Sequence, residues 1–575
     1  MPVQVRVLYP PLFLLAVFRI LVCRKQKNPY FKPKQNSLMK TQYCALLLFL
    51  LLPICMQAQI YESAANISSK NKAPRLEWLK DAGLGLRIDL GIDSQLGIVM
   101  SQSLVGASPA YQKQYFEELP KTFDPQQFNP RKIAQLAKVA GIQYLVFNVK
   151  HQSGFCLWET KTTSFNSLNT PYSKDLLKEF IAAAKAYDLA VGIYYSAEDY
   201  RFLYDHDEVI RREGGEALDE GVMESYEAYI EAQCTELMRN YGDIDVLFLE
   251  GALKAKAAEI CWKLQPNILI TGGVLDTPIE KLPGIPLKKP WEASITVERP
   301  SLSSASIDYK STQQLIHTLI DARTKGGATL LNIQLHPDGY LPPMADHSLR
   351  TLAGWCFVNR DAMQDIRPWI VSQEGGIHLA RKKEKAEVYA FLPASPDWPL
   401  GEKKSFILRS LSTTKESAIS ILGQAEDPSA VQFTQQEDGL HISCTRKQQM
   451  QADGHWPFPI VLKITRVEPN LKPPIVQTLP PNMAPSGPNL KGFLAQKGDQ
   501  AELQLGFEYR LYTPPAAQQT ATHWQKTEWV KSTPNGHFKL QLSDLSAGEY
   551  EVRAIAKHPK VEIPGETLRF TIPSK

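Results

Sequence analysis

Three short apolar runs in this sequence end in residues able to act on a bound molecule. VLFL at 246–249 is followed directly by Glu250. YLVFNV at 144–149 runs into Lys150-His151-Gln152, and LAVGI at 189–193 into Tyr194-Tyr195-Ser196. A carboxylate straight after four apolar residues is either a buried partner in a polar network or a functional group. Alone, Glu250 leaves both readings open. A histidine and two tyrosines at neighbouring run ends favour a site. Trp158 joins them because it follows GFCL shortly after His151. A polar floor with aromatic walls suits a sugar, whose apolar faces stack on rings while charged groups bond its hydroxyls.

These residues need a frame that brings run ends together. From about Trp78 to Asn359 strand-like and helix-like segments alternate. Residues 142–151, 189–196, 244–250, 267–271 and 328–334 have the short apolar runs of buried strands. Residues 174–187, 222–240, 254–264, 312–324 and 346–358 have helical spacing. Strands alternating with helices imply a parallel sheet, and about 280 residues of such alternation suit a closed (β/α)8 TIM-like barrel over 78–370. A doubly wound open sheet is the alternative, although no glycine-rich dinucleotide fingerprint follows any strand. In a barrel the C-terminal strand ends carry function, and that is where Glu250, His151 and the tyrosines fall.

Past Trp369 the pattern changes to short alternating segments such as AEVYAFLP and IVLKITRVE, which predicts a β-sandwich over 371–468. The proline-rich stretch 469–490 reads as an extended linker, and 491–575 as an immunoglobulin-like β domain.

The chain has 575 residues, too many for one core, and 43% of them are apolar and 22% charged, as in ordinary globular proteins. The net charge of +4, without a basic stripe interleaved with aromatics, argues against a nucleic-acid partner. Met39-Lys40, the apolar run 45–54 and the small Ala58 compose a secretory signal peptide over 39–58. Residues 1–58 then read as non-mature, those before Met39 as an over-extended gene model. The expectation is a secreted or periplasmic protein with no membrane span in its mature part. The five later cysteines are widely spaced and read as buried free thiols. Asp205-His206-Asp207-Glu208 reads as a hydrated, helix-capping loop rather than a metal cluster.

Four segments carry a family resemblance. KHQSGFCLWETKTTSFNSLNTPYSKDLLKEF, YGDIDVLFLEG, PWEASIT and KGGATLLNIQLHPDG are similar, in order along the barrel, to the corresponding motifs of the α-L-fucosidases of glycoside hydrolase family 29. The likeness implies retaining hydrolysis of a terminal fucose without metal or cofactor. One carboxylate attacks the anomeric carbon, and a second carboxyl protonates the leaving oxygen and then activates water. Carried over by position, Glu250 falls on the nucleophile, His151 on a sugar-binding histidine, and Tyr194 or Tyr195 on a pocket tyrosine.

The sequence also departs from the family. Glu250 stands where the family has aspartate, Gln152 where it has a second histidine, and Asp89 where a histidine holds the sugar. Ile279 occupies the position of the acid/base, Gly272-Gly273 lacks an arginine found in relatives, and Ala328 replaces an asparagine. Glu280 and Glu292 are candidates for the missing acid, with Asp276 and Asp89 behind them. Three functions follow: an exo-glycosidase acting on α-L-fucosides, a catalytically silent glycan-binding barrel, or a glycosidase with an altered sugar specificity.

Overall fold

The structure, a computed structural model, describes residues 67–573 except 98–100, 211–217, 280–281, 300–307, 395–397, 455, 485–486, 513–522 and 544. The expected signal peptide and Glu280 lie outside the described residues.

The first part of the chain runs α1 (Ala73–Ala82), β1 (Leu84–Asp89), α2 (Pro109–Thr122), α3 (Pro130–Val139), β2 (Tyr144–Lys150), α4 (Leu176–Ala186), β3 (Ala190–Ser196), α5 (Tyr200–Asp205), α6 (Glu220–Asn240), β4 (Val246–Glu250), α7 (Lys254–Leu264), β5 (Leu269–Thr271), β6 (Glu292–Thr296), β7 (Glu298–Arg299), β8 (Asp308–Tyr309), α8 (Thr312–Thr324), β9 (Ala328–Gln334) and α9 (Pro343–Asn359). Among the described residues seven strands form one parallel sheet in the order β5-β4-β3-β2-β1-β9-β6. The sequence pattern predicts eight. Among the described residues no helix joins β5 to β6, because Pro278, Pro283, Pro286 and Pro290 interrupt that stretch. Isolated parallel bridges, Asp276 to Trp291 and Ile279 to Ser294, lay this segment beside β6 instead.

Alternation sorts the strand side chains into two layers. Tyr144, Val146, Tyr194, Val246, Phe248, Leu269, Ala328 and Leu330 pack together on the inner face, closed by Leu79 and Ala82 of α1. Leu145, Phe147, Ile193, Tyr195, Leu247, Leu249 and Leu331 face outward into the helical layer. Small residues make room for large ones inside: a Cβ on Gly85 would lie 2.2 Å from the Tyr144 ring.

A sandwich follows. Strands Ile366–Glu374, Ile377–Lys382, Glu387–Leu392, Ile460–Pro469 and Leu411–Ile421 form one sheet, and Lys403–Leu408, Gly439–Thr445 and Val431–Gln436 the other. Leu379, Val388, Leu408, Leu440, Ile442 and Leu462 fill the space between them. The sandwich docks on the barrel through Trp355, whose indole N–H donates to the Pro459 carbonyl at 2.8 Å. Asp361 adds contacts with Lys382, Lys463 and the Tyr389 hydroxyl.

The last domain starts earlier than expected. Ile475–Ala484, within the predicted linker, is a strand paired antiparallel with Gly487–Gln496. It tolerates Pro480 and Pro481 because it is an edge strand and its register shifts between Leu479 and Asn482, where no ladder amide is required. Its sheet packs on a second one across Val476, Leu490, Leu505, Phe507, Phe538 and Val552.

Candidate active site

Where β2 and β3 end, the ladder slips. Asn148 pairs with Tyr194, but Lys150 pairs with Tyr195, so Val149 is an extra residue. Such a bulge re-aims the side chains beyond it. It turns Lys150 outward beside Tyr195, with the ammonium 4.5 Å from that ring's centre. His151 then comes to the inner side, stacked on Tyr194 at 5.7 Å and 15°.

Around this point the inner face carries a connected polar group. Tyr194 donates its hydroxyl to Glu250 Oε2 at 2.8 Å. Burial and the Glu250 charge push the Tyr194 phenol well above its ordinary pKa, so it stays a donor. The Arg87 guanidinium lies 4.6 Å from the Tyr194 ring centre and 5.6 Å from that of Phe248. It donates to Asp89 Oδ2 through Nε at 3.0 Å and Nη2 at 2.9 Å. Burial would weaken its charge, but Asp89, Tyr194 and Glu250 raise its pKa. Ser101 Oγ sits 2.8 Å from His151 Nδ1, and Gln152 Oε1 accepts from Gln102 at 3.0 Å. Burial also raises the carboxyl of Asp93, against the opposing charge of His151.

Glu250 is held by its backbone too. The Ala197 amide donates to the Glu250 carbonyl at 2.7 Å. The chain then turns at Gly251 with φ 96°, where a Cβ would stand 2.4 Å from the Glu198 nitrogen. Only glycine lets the two strand ends approach so closely.

Asp89, His151, Tyr194 and Glu250 therefore share the C-terminal mouth of the inner face, with Gln152 on the adjoining loop. Tyr195 and Trp158 do not join them. Tyr195 bonds Gln233 at 2.8 Å, and Trp158 donates to Glu236 at 3.2 Å in the helical layer. The alternation of β3 puts Tyr195 on the far side of the sheet, and Trp158 lies in the same outer layer. Glu292 is not at the mouth either. As the first residue of β6 it lies fully buried at the opposite end, accepting the Tyr144 hydroxyl, and burial raises its carboxyl. Ile279 is 64% exposed.

One carboxyl escaped the sequence reading. Glu298 follows β6 and is 7% exposed, with neither oxygen hydrogen-bonded. In TVERP it resembles a charged turn. Counting by twos from Glu292 through Ser294 and Thr296 would have put it on the inner face. Among the described residues no group of three or more His, Cys, Asp or Glu side chains could hold a metal ion.

A parallel curled sheet with a carboxylate, a histidine and a tyrosine at its C-terminal mouth defines a barrel-type glycoside hydrolase. The profile of the Alpha-L-fucosidase family matches residues 50–361, and the chain belongs to that family. It is 25% identical over 419 residues to the alpha-L-fucosidase of Branchiostoma floridae, covering 66% of this chain and 91% of that one. Its fold is similar to that of alpha-L-fucosidase isoenzyme 1 from Paenibacillus thiaminolyticus, at 23% identity and a TM-score of 0.55, covering 68% of this chain and 99% of that one. A family 29 alpha-L-fucosidase from Bacteroides thetaiotaomicron gives 19% identity and a TM-score of 0.56, covering 70% and 96%.

Proposed function

We propose that this protein is a retaining exo-glycosidase that releases terminal α-L-fucose from glycans, with Glu250 as the nucleophile. The observation that carries the reading is the setting of Glu250: it ends an apolar strand at the barrel mouth, takes a hydrogen bond from Tyr194 and lies in the field of Arg87. A phenol donor and a nearby guanidinium hold the carboxylate in place and aim it. His151 stacked on Tyr194 and the buried, unpartnered Oδ1 of Asp89 supply groups to bond sugar hydroxyls. Hydrolysis of an aryl α-L-fucoside by the wild type and by Glu250→Gln tests it. The wild type turns the substrate over and the variant does not; equal, negligible rates remove the proposal.

The Arg87–Asp89 pair favours a second reading, a related sugar in place of fucose. It sets a charged fork where the family has a histidine, and a panel of aryl glycosides reads the preference directly. A glycan array reads binding without turnover, the function left if the exposed Ile279 marks a lost acid.

The mature protein acts outside the cytoplasm in this reading, on the strength of the signal-like sequence at 39–58. Among the described residues no helix is long and apolar enough to cross a membrane. Peptide mapping of the native protein tests the leader: a peptide from before Met39 overturns the assigned start.

A further inference from the structure

With Ile279 at the family's acid position, the mechanism lacks a proton donor. The described carboxyls around the mouth are mostly engaged. Asp89 is forked by Arg87, Asp93 is opposed by His151, and Glu250 is the attacking group. Glu298 remains.

The strand geometry aims it at the mouth. Ser294 points inward, accepting from Asn332 Nδ2 at 2.8 Å, and Val297 points into the outer layer. The Val297 amide still bonds the Asn332 carbonyl at 3.0 Å, so the β6 ladder continues and Glu298 takes the inward parity. Asp89, which ends β1, pairs with Gln334 of β9, the strand between β1 and β6. Glu298, Thr296 and Lys310 also line a cleft of about 1500 Å³ that runs from the end of β6 to the last β domain.

We propose that Glu298 is the general acid and base of this site. The inference rests on Glu250 being the nucleophile. In the first step a Glu250 oxygen bonds the anomeric carbon and the glycosidic C–O bond breaks, while the Glu298 carboxyl gives its proton to the departing oxygen. In the second, the Glu298 carboxylate takes a proton from water as the water oxygen displaces Glu250. Both carboxyls return to their starting states and the sugar keeps its configuration.

Among the described residues, the charged or titratable groups that face Glu298 are Asp89 from β1, and Tyr309 and Lys310 from the segment containing β8. Burial pushes Glu298 up to about 7. Asp89 adds to the rise, while the nearby amides of Glu298 and Gln334, which fall short of hydrogen-bond geometry, and the charge of Lys310 oppose it. A carboxyl so placed carries its proton near neutral pH, as a general acid must.

Fluoride departs without being protonated and an alkoxide does not, so two substrates separate this role from a structural one. For Glu298→Gln, kcat/KM on a fucoside with a poor leaving group should fall about 10²–10⁴-fold, and that on α-L-fucosyl fluoride by less than about tenfold. The alkaline limb of the wild-type pH profile should vanish in the variant. Added azide should restore turnover of the fluoride, by displacing Glu250 where the water step has become slow, and yield the α-fucosyl azide. Equal loss on both substrates, or loss on neither, overturns the assignment while leaving Glu250 in place. Should the glutamine variant not fold, Glu298→Asp must show the same direction of discrimination. If the wild type and Glu250→Gln both leave the fluoride intact, the nucleophile reading fails and this inference fails with it.

Discussion

Two polar clusters lie back to back across the ends of β2 and β3. On the outer side Lys150 gives 2.9 Å hydrogen bonds to Asp199 and Gln233, and both ion-pair side chains are fully buried. Tyr195 and Tyr229 add their hydroxyls, Gln233 donates to Thr162, and the second Asp199 oxygen caps α5 at the Phe202 amide. On the inner side, oxygens of Asp89, Asn148, Asn332 and Glu298 are buried without partners. The outer cluster is closed on itself, and its worth lies in holding α5 and α6 to the sheet. The inner one has acceptors to spare, as expected where a ligand completes the bonding. Charged residues at strand ends look alike in sequence; what separates structure from site is whether their bonds are filled.

That contrast yields four tests. Glu250→Gln should lower kcat/KM on an aryl α-L-fucoside by at least about a thousandfold while the melting temperature stays close to that of the wild type. Lys150→Met should do the reverse. It strands a buried Asp199 carboxylate and should cost about 3–5 kcal/mol in denaturant unfolding, with kcat per folded molecule held within about twofold. A large catalytic loss in that variant would erase the distinction between the two clusters.

Glu298→Gln should sharpen the contrast through pH. The native carboxyl is raised to about 7 by burial, above its unfolded value near 4.5, so the folded state holds the extra proton between those values. Wild-type stability should therefore fall as pH rises from about 4.5 to 7 and level off above. The glutamine variant has no such decline, so its advantage should be on the order of 3 kcal/mol at pH 8 and absent at pH 4. Parallel unfolding curves at both pH values would contradict the buried, unpaired state of Glu298. The smallest effect belongs to Tyr194→Phe. Loss of one hydrogen bond to Glu250 should lower kcat/KM by about tenfold, leaving the fold intact.

Much of this was legible beforehand. The apolar runs of β2, β3, β4 and β9 announced a parallel sheet, and the residues that end them gave Glu250, His151 and Tyr194. What was hidden depended on one-residue geometry or on tertiary pairing. No composition marks Val149 as an extra residue, so nothing in the sequence shows that Lys150 turns outward and His151 inward. Pro480 and Pro481 looked like linker because their tolerance comes from an edge position and a register shift supplied by the partner strand. The missing helix between β5 and β6 went unnoticed, although four prolines signalled it. Glu298 stayed hidden beside Arg299, where only continuation of the β6 ladder gives it a direction.

The slip at Val149 makes chain length at this strand end a stricter constraint than residue identity. Removing one codon there would swap two residues between opposite faces. Lys150 would swing in against Glu250 and cancel its charge, while His151 would enter a dry helical layer and leave Asp199 without its cation. Substitutions around the mouth can therefore be absorbed one at a time, whereas a single insertion or deletion at this strand end would disturb the scaffold and the pocket together.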